Sequence, residues 1–479
     1  MKDNNLTLLD KISDIDFLNI AWKKLDKSNK DSHGLSGETI SSFDNNKDDK
    51  ISSISNRLKK GQYFFSRTRG VLISKKGKNT FRPLQIPEVQ DRVVIKAIAL
   101  VLEEIFEPTL NKSNGYSFAY QKNLGTKDAL LKIKDYYEKG NEYILEADLV
   151  NFFGTVNKQE LLTNKIFPHL PDQSINKLIT NALNQEIGNL RDFDENQLQW
   201  FKGIDKGIPQ GNALSPLLSN IYLSDFDQNI ISDKYNLVRY ADDFVIVATS
   251  KKECINAYNK CVIYLERLNL EIHPLEKNEK TRITNIKEDT VTFLSVTFDG
   301  IYLYPSQENF EKLQDKIWEL TKGKIELNLF DFIYKLNNKF DGWVSAFIYT
   351  DLSRYYEELD STINRVLYIK LEKINWKLKE NHLNKVPNNL RKQRTSPFCL
   401  SEVQRKWSGI PNTKELVVKK LQNIQEQEQQ KQQQQQKQQQ EQEQQEKYSI
   451  SKEQPLVNKT NNKLFTLLKV IISVFKKTK

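Results

Sequence analysis

Methionine occurs once in the 479 residues, cysteine three times and histidine four times. Cys254, Cys261 and Cys399 have neither metal-ligand spacing nor the density of a disulfide framework. A disulfide-stapled domain is therefore excluded, and a reducing cytoplasm is the expected location. His33, His169, His273 and His382 are scattered, which argues against a zinc site. The opening "MKDNNLTLLDKISD" has no secretory pattern, and no run is apolar and long enough to span a bilayer. No internal repeat is present. What remains is a globular chain of roughly two or three domains.

Charge is plentiful and unevenly placed. Lys and Arg number 72 against 62 Asp and Glu, a net +10. From Ile51 to Arg82 there is no acid, while Arg57, Lys59, Lys60, Arg67, Arg69, Lys75, Lys76, Lys78 and Arg82 all fall there. A second basic stretch runs from Arg365 to Arg394 around Trp376. Cations interleaved with aromatics suit a phosphate backbone and stacked bases; solvated surface faces are the alternative.

The spacing predicts mostly helix over residues 1–50, with a loop at "NKDSHGLSG", then extended chain through Pro83 and Pro87. Helical periodicity follows from Val93 to Phe106, ended by Pro108. "EYILEADLVNFFGTV" reads as a strand from Tyr143 to Ala147 running into Asp148. "GIPQGNALSPLLSNIYLSDFD" is a Gly/Pro-rich loop entering an apolar helix, and a helix is expected over Ala257–Leu268. "TVTFLSVTFDGIYLYP" alternates as a strand pair with a turn at Asp299-Gly300. From Ser306 to Lys392 the pattern is mostly helical, with Trp343, Phe347 and Tyr355 inside a bundle. Residues 421–447, rich in Gln, Glu and Lys, cannot fold a core and read as a disordered linker or a solvated helix. The closing "KLFTLLKVIISVFKKTK" is too short to cross a membrane and would dock on a partner or lie on a lipid surface.

"RYADDFVIVATS" places Asp242 and Asp243 together between apolar, β-prone runs. An Asp pair can simply close a hairpin. With Asp148 at a strand end, however, three carboxylates would stand at the rim of one sheet. Hard cations such as Mg²⁺ take a few carboxylates and keep water and substrate phosphates as further ligands. Two such ions stabilise both the attacking and the leaving oxygen of a phosphoryl transfer.

Several blocks then follow one another in a familiar order: "AWKKLDKSN…GLSGETISSF", "RPLQIPEVQDRVV", "NGYSFAYQKNLGTKDAL", "LEADLVNFF", "GIPQGNALSPLLSNIYL", "YADD", "LEIHPLEKNEKTRI", "FLSVTF" and "FDGWVSAFIYTDLSRYY". Over roughly residues 15–400 this order resembles the reverse transcriptases, in particular the group II intron-encoded type and related stand-alone bacterial enzymes. The resemblance implies an α/β (α+β) right-hand polymerase with fingers, a mixed-sheet palm and a helical thumb, plus a low-complexity C-terminal extension. Its divisions would be an N-terminal extension at 1–49, fingers and palm at 50–304, a maturase-like thumb at 305–410, and a Gln-rich linker with apolar tail at 411–479.

Residue roles follow by matching positions. Asp148 and Asp242, supported by Asp243, would hold two Mg²⁺ ions, with Mn²⁺ as the substitute. Arg82, with Lys78, would pair with the triphosphate, as a planar guanidinium can do bidentately. Phe153 would lie beneath the sugar and leave no room for a 2′-hydroxyl, while Phe152 packs in the core. Gln210 and Gly211 would lie against template and nucleotide, Lys280 (with Lys277 as rival) near the phosphates, and Tyr240 against the primer end. Gly154 stands where relatives commonly have an acid, and "GLSG" where they often carry "GxDG". The implied activity is RNA-directed DNA synthesis on an RNA template, passing through an RNA/DNA hybrid and using deoxynucleoside triphosphates. The role expected first is a stand-alone bacterial enzyme of antiphage defence, with a non-coding RNA or protein as partner. An intron maturase/reverse transcriptase, or an idle RNA-binding splicing cofactor, is the alternative.

Overall fold

The computed structural model describes residues 6–75, 80–204, 206–275, 280–322, 327–373, 405, 409–438, 440 and 442. The chain divides into two compact units, Met1–Leu303 and Tyr304–Lys479, each with its own apolar core.

In the first unit the N-terminal helices Leu8–Ser13, Ile15–Lys24 and Lys47–Lys59 lie on the helix Val89–Leu110. The longer helix buries residues on every face from Val93 to Leu102, as a helix apolar all round must. It runs on past Pro108 to Leu110, two residues beyond the expected stop. So close to the C-terminus the proline forfeits one backbone bond and little else. Ahead of it, β1 (Arg69–Lys75) and β2 (Thr80–Ile86) form an antiparallel hairpin with Ile73 opposite Arg82.

The central sheet runs in the order β4 (Asn236–Tyr240), β5 (Asp243–Ala248), β3 (Tyr143–Ala147), β6 (Arg282–Asn285). Every pairing in it is antiparallel, where a mixed sheet is expected. The β4–β5 turn is too short for a parallel crossover. Parallel relations survive beside the sheet as isolated bridges, Ser117–Arg239 at β4 and Leu275–Thr281 just ahead of β6. Phe244 to Ala248 of β5 are all buried, because the helices Ser215–Ser232 and Lys251–Glu266 pack against this sheet. Cys254 and Cys261 sit two turns apart on the buried side of the latter helix, unpaired, and burial pushes the Cys254 thiol up to about 12. The expected strand pair with its turn at Asp299-Gly300 forms from Val296–Phe298 and Leu303–Pro305, and a further strand, Val291–Phe293, joins it through a tight hairpin. That hairpin turns at Leu294 and Ser295, both with positive φ (52° and 64°); the Asp299-Gly300 turn comes after it.

The second unit is helical over Gln307–Lys322, Leu329–Phe347 and Tyr356–Lys373. Phe310 stacks on Tyr355 at 4.3 Å, and Trp343 packs beside both with its indole N–H donated to Asn309 at 2.8 Å. Trp343 and Tyr355 are thus core residues as the periodicity implies, with Phe347 at the margin. Residues 413–438 are helical and exposed from residue 425 on, which selects the solvated helix for the described part of the Gln-rich tract.

One buried acid in the first unit carries a pH dependence. Asp91 has no exposed surface, and burial raises its carboxyl from 3.8 to about 6, against the lowering bonds from the Tyr63 hydroxyl (2.7 Å) and the Ser66 N–H (2.9 Å). An acid with a raised folded-state pKa contributes stability below its unfolded value and loses it as pH rises through the folded one. The loss of up to about 3 kcal/mol falls between roughly pH 4 and pH 6. Urea denaturation of Asp91→Asn across that window should show a flatter decline than the wild type. Equal slopes would show that Asp91 does not titrate there.

Candidate active site

The site grows from the end of the central sheet. Ala147 of β3 faces Phe244 of β5, and Tyr240 faces Asp243 across the β4–β5 turn. Asp148, one residue past β3, therefore emerges at the same sheet end as Asp242 and Asp243. Its backbone is fixed there because its carbonyl accepts from the His273 N–H at 3.1 Å.

The turn consists of Ala241 and Asp242, with Ala241 at φ 59°, where two-residue hairpins favour glycine. The carboxylates sense one another. Burial, followed by the charges of Asp242 and Asp148, pushes Asp243 up to about 6. Burial raises Asp242 as well, with Asp148 adding to it and Arg82 and Arg239 opposing. The Lys280 ammonium sits 2.6 Å from Asp148 Oδ2 and 3.2 Å from His273 Nε2, on the acid itself.

An open cleft of about 1530 Å³ lies over these groups, lined by Asp148, Asp242, Asp243, Lys280, Arg82 and Phe153 together with Gln210 and Gly211. Arg82 is exposed on β2, close enough for its charge to lower both turn acids. Phe153 is half-buried and rests edge-on against the buried Phe152, at 5.3 Å and 78°. Its carbonyl accepts from the Ile208 N–H at 2.9 Å, an approach possible because residue 207 is glycine: a Cβ there would stand 1.9 Å from that oxygen. The Gln210 carbonyl accepts from the Gln85 N–H at 2.8 Å, and Gly211 (φ 99°) presses on the Gln85 carbonyl. The "PQG" loop thus ties Phe153 to the strand that carries Arg82. A Cβ at Gly154 would come within 2.5 Å of the Asn151 amide, so this glycine gives room to its neighbour's side chain.

Tyr240 flanks the cleft without lining it, and Lys78 and Lys277 lie outside the described residues. Two residues escape a reading of the sequence. Tyr120 lines the cleft with φ 57° and 54% exposure. Its phenol is raised by burial, then by Asp242 and Tyr240, against Arg82. Nothing in "FAYQ" marks it. Arg239 is buried directly behind the turn, and its only sequence signal is a charge inside an apolar strand.

Among the described residues no group of three or more His, Cys, Asp or Glu is preassembled to hold a metal alone. Three oxygen donors at an open cleft, repelling one another, still fit a hard divalent cation whose coordination is completed by water and substrate phosphates.

Strand-end carboxylates, an arginine facing them from a hairpin and a helix-backed antiparallel sheet are consistent with a right-hand polymerase fold. Residues 73–298 match the family "Reverse transcriptase (RNA-dependent DNA polymerase)", and residues 310–386 match "Group II intron, maturase-specific domain". The chain thus carries a reverse transcriptase domain followed by a group II intron maturase-specific domain, and its curated relatives include group II intron-encoded proteins. It is similar to the group II intron-encoded protein LtrA of Lactococcus lactis subsp. cremoris, 28% identical over 52% of this chain and 38% of that one. Protein YkfC of Escherichia coli (strain K12) is 26% identical over 44% of this chain and 62% of its own length. The chain thus spans less than two thirds of either relative. Among solved structures, a chain of the "Partial Cas6-RT-Cas1--Cas2 complex" shares 26% identity over 52% of this chain and 39% of that one, at a TM-score of 0.32.

The mutual repulsion can be measured. In metal-free buffer Asp243→Asn should raise stability by about 1 kcal/mol, a figure kept small because the side chain opens on solvent. That corresponds to a rise of ~2 °C in Tm. Added Mg²⁺ should then raise the wild-type Tm more than the variant's. A variant less stable than wild type without metal would contradict the repulsion.

Proposed function

We propose that this chain is an RNA-directed DNA polymerase acting by metal-assisted nucleotidyl transfer to a 3′ end. The observation that carries the proposal is the convergence of Asp148, Asp242 and Asp243 beneath a cleft that Arg82 also lines. Asp148 and Asp242, with Asp243, would hold divalent metal, for which Mg²⁺ is the natural ion and Mn²⁺ the substitute. Bound there, such ions activate a 3′-hydroxyl and neutralise charge on the leaving phosphate.

The chain's own groups do the rest. Arg82 binds and orients the triphosphate through a planar fork of N–H donors. Lys280 holds Asp148 and stands ready to exchange it for phosphate oxygens. Phe153 would set its ring beneath the sugar and exclude a 2′-hydroxyl, and its carbonyl bond to Ile208 fixes the backbone that carries the ring. Gln210 and Gly211 offer backbone to template and nucleotide, and Tyr240 packs beside the primer end.

For biological role, the maturase-specific match at 310–386 and the intron-encoded relatives favour splicing and mobility of a group II intron. Antiphage defence, with a dedicated RNA or protein partner, comes second. An idle RNA-binding cofactor is disfavoured by the complete acid set. The unpaired, buried Cys254 and Cys261 agree with a cytoplasmic setting. Sequencing nucleic acid that co-purifies with the chain separates the roles: intron RNA supports the first, an unrelated structured RNA the second.

Primer extension on an RNA template tests the chemistry. Asp242→Asn should lower synthesis by at least ~10³-fold while RNA binding stays within about twofold. Near-normal synthesis by that variant would refute the site.

Phe153→Ala should bring ribonucleotide incorporation up by ~10²-fold relative to deoxynucleotides, as loss of a steric contact allows. Unchanged sugar discrimination would remove Phe153 from the gate.

A further inference from the structure

We infer that Arg239 is a positioning residue that holds the carboxylate turn, acting through the Ala241 carbonyl; the inference rests on the polymerase reading of this site. Arg239 and Asp227 are each 1% exposed and form a two-pronged ion pair, Nε to Oδ1 at 2.7 Å and Nη2 to Oδ2 at 2.6 Å. The remaining nitrogen, Nη1, donates to Asn220 Oδ1 at 3.0 Å and to the Ala241 carbonyl at 2.8 Å. Asn220 and Asp227 lie seven residues apart on the helix Ser215–Ser232, so both present to one guanidinium. Asn220 also donates to the Ala119 carbonyl at 2.8 Å, and the Arg239 backbone pairs with Tyr116 (2.7 Å) and Phe118 (2.9 Å). One buried cation therefore joins the carboxylate turn to the segment that ends in Tyr120.

Stability alone does not account for this arrangement. A buried ion pair is about as stable as an apolar pair of similar volume. What the pair adds is direction. Ala241 carries positive φ, a strain that persists only where surroundings over-determine the backbone. Asp242 and Asp243 are repelled by Asp148, and a turn held only by its ladder bonds could relax away from it. The guanidinium fixes the turn's carbonyl from behind, where no solvent competes. A lysine could not replace it, since an ammonium has no planar fork to span carboxylate, amide and carbonyl together.

The test compares wild type, Arg239→Lys and Asn220→Ala as full chains. Near-UV circular dichroism checks folding, the rise of Tm on adding Mg²⁺ reads metal binding without turnover, and primer extension against Mg²⁺ concentration gives half-saturation and kcat. For folded variants the Mg²⁺-induced rise should shrink and half-saturating Mg²⁺ should increase ~10-fold, as loss of an outer partner does at metal sites. RNA binding should stay unchanged, and excess Mg²⁺ should recover part of the rate. Should Arg239→Lys fail to fold, Asn220→Ala, which keeps the ion pair, carries the test. A folded variant with wild-type Mg²⁺ response overturns the inference, and does so while wild-type extension leaves the polymerase reading standing. Wild type that shows a Mg²⁺-induced rise but no extension overturns the polymerase reading alone.

Discussion

The repulsion among Asp148, Asp242 and Asp243 is the constraint to which the rest of the first unit responds. Burial, and then the neighbouring charge of Asp148, raise the cost of ionising Asp242 and Asp243, and a chain without compensation would splay the acids apart. Compensation comes from both sides. Lys280 and Arg82 supply positive charge from the cleft, while Arg239 fixes the turn from the interior. The sheet itself carries no such strain: Val245 to Ala248 are apolar and buried, and no residue within its strands has positive φ, so the distortion is confined to Ala241.

What the sequence discloses and what it hides divide along physical lines. Asp148 is legible because strand alternation through Tyr143–Ala147 delivers it to a predictable edge, and Asp242-Asp243 because two acids between apolar runs can only stand at a turn. Local patterns also give the solvated part of the Gln-rich tract and the aromatic core of the second unit. Features that depend on long-range packing leave no local trace. Pro108 looks like a stop because the code for stopping a helix is local, whereas burial on the core carries the helix past it. The Leu294-Ser295 turn lacks the Gly, Asn and Asp that positive φ favours, so that hairpin is set by cross-strand pairing, whereas Asp299-Gly300 announces its own turn locally. Tyr120 and Arg239 are silent for the same reason. Each depends on partners distant in sequence, Arg239 on Asp227 and Asn220 and Tyr120 on Asp242 and Arg82.

The glycines of the "PQG" region show how substrate groups from distant segments come to share one frame. Gly207 lets the loop touch the carbonyl of Phe153, and Gly211 lets it touch that of Gln85. Through these contacts the ring proposed to sense the sugar and the hairpin proposed to hold the phosphates are both referenced to one short segment. Displacement of either would strain a backbone contact with no side chain to absorb it.

Ala241 makes the same case from the opposite direction. Glycine would relieve its positive φ at no steric cost, as it does at Gly211, yet here the chain carries a methyl group. Glycine would also widen the range of backbone angles open to the turn, and the two acids that follow would inherit that freedom. The Ala241 carbonyl bond to Arg239 holds the alanine in this conformation. Strain at one residue is thereby exchanged for definition at the next two. For acids that repel one another, definition is the scarcer property.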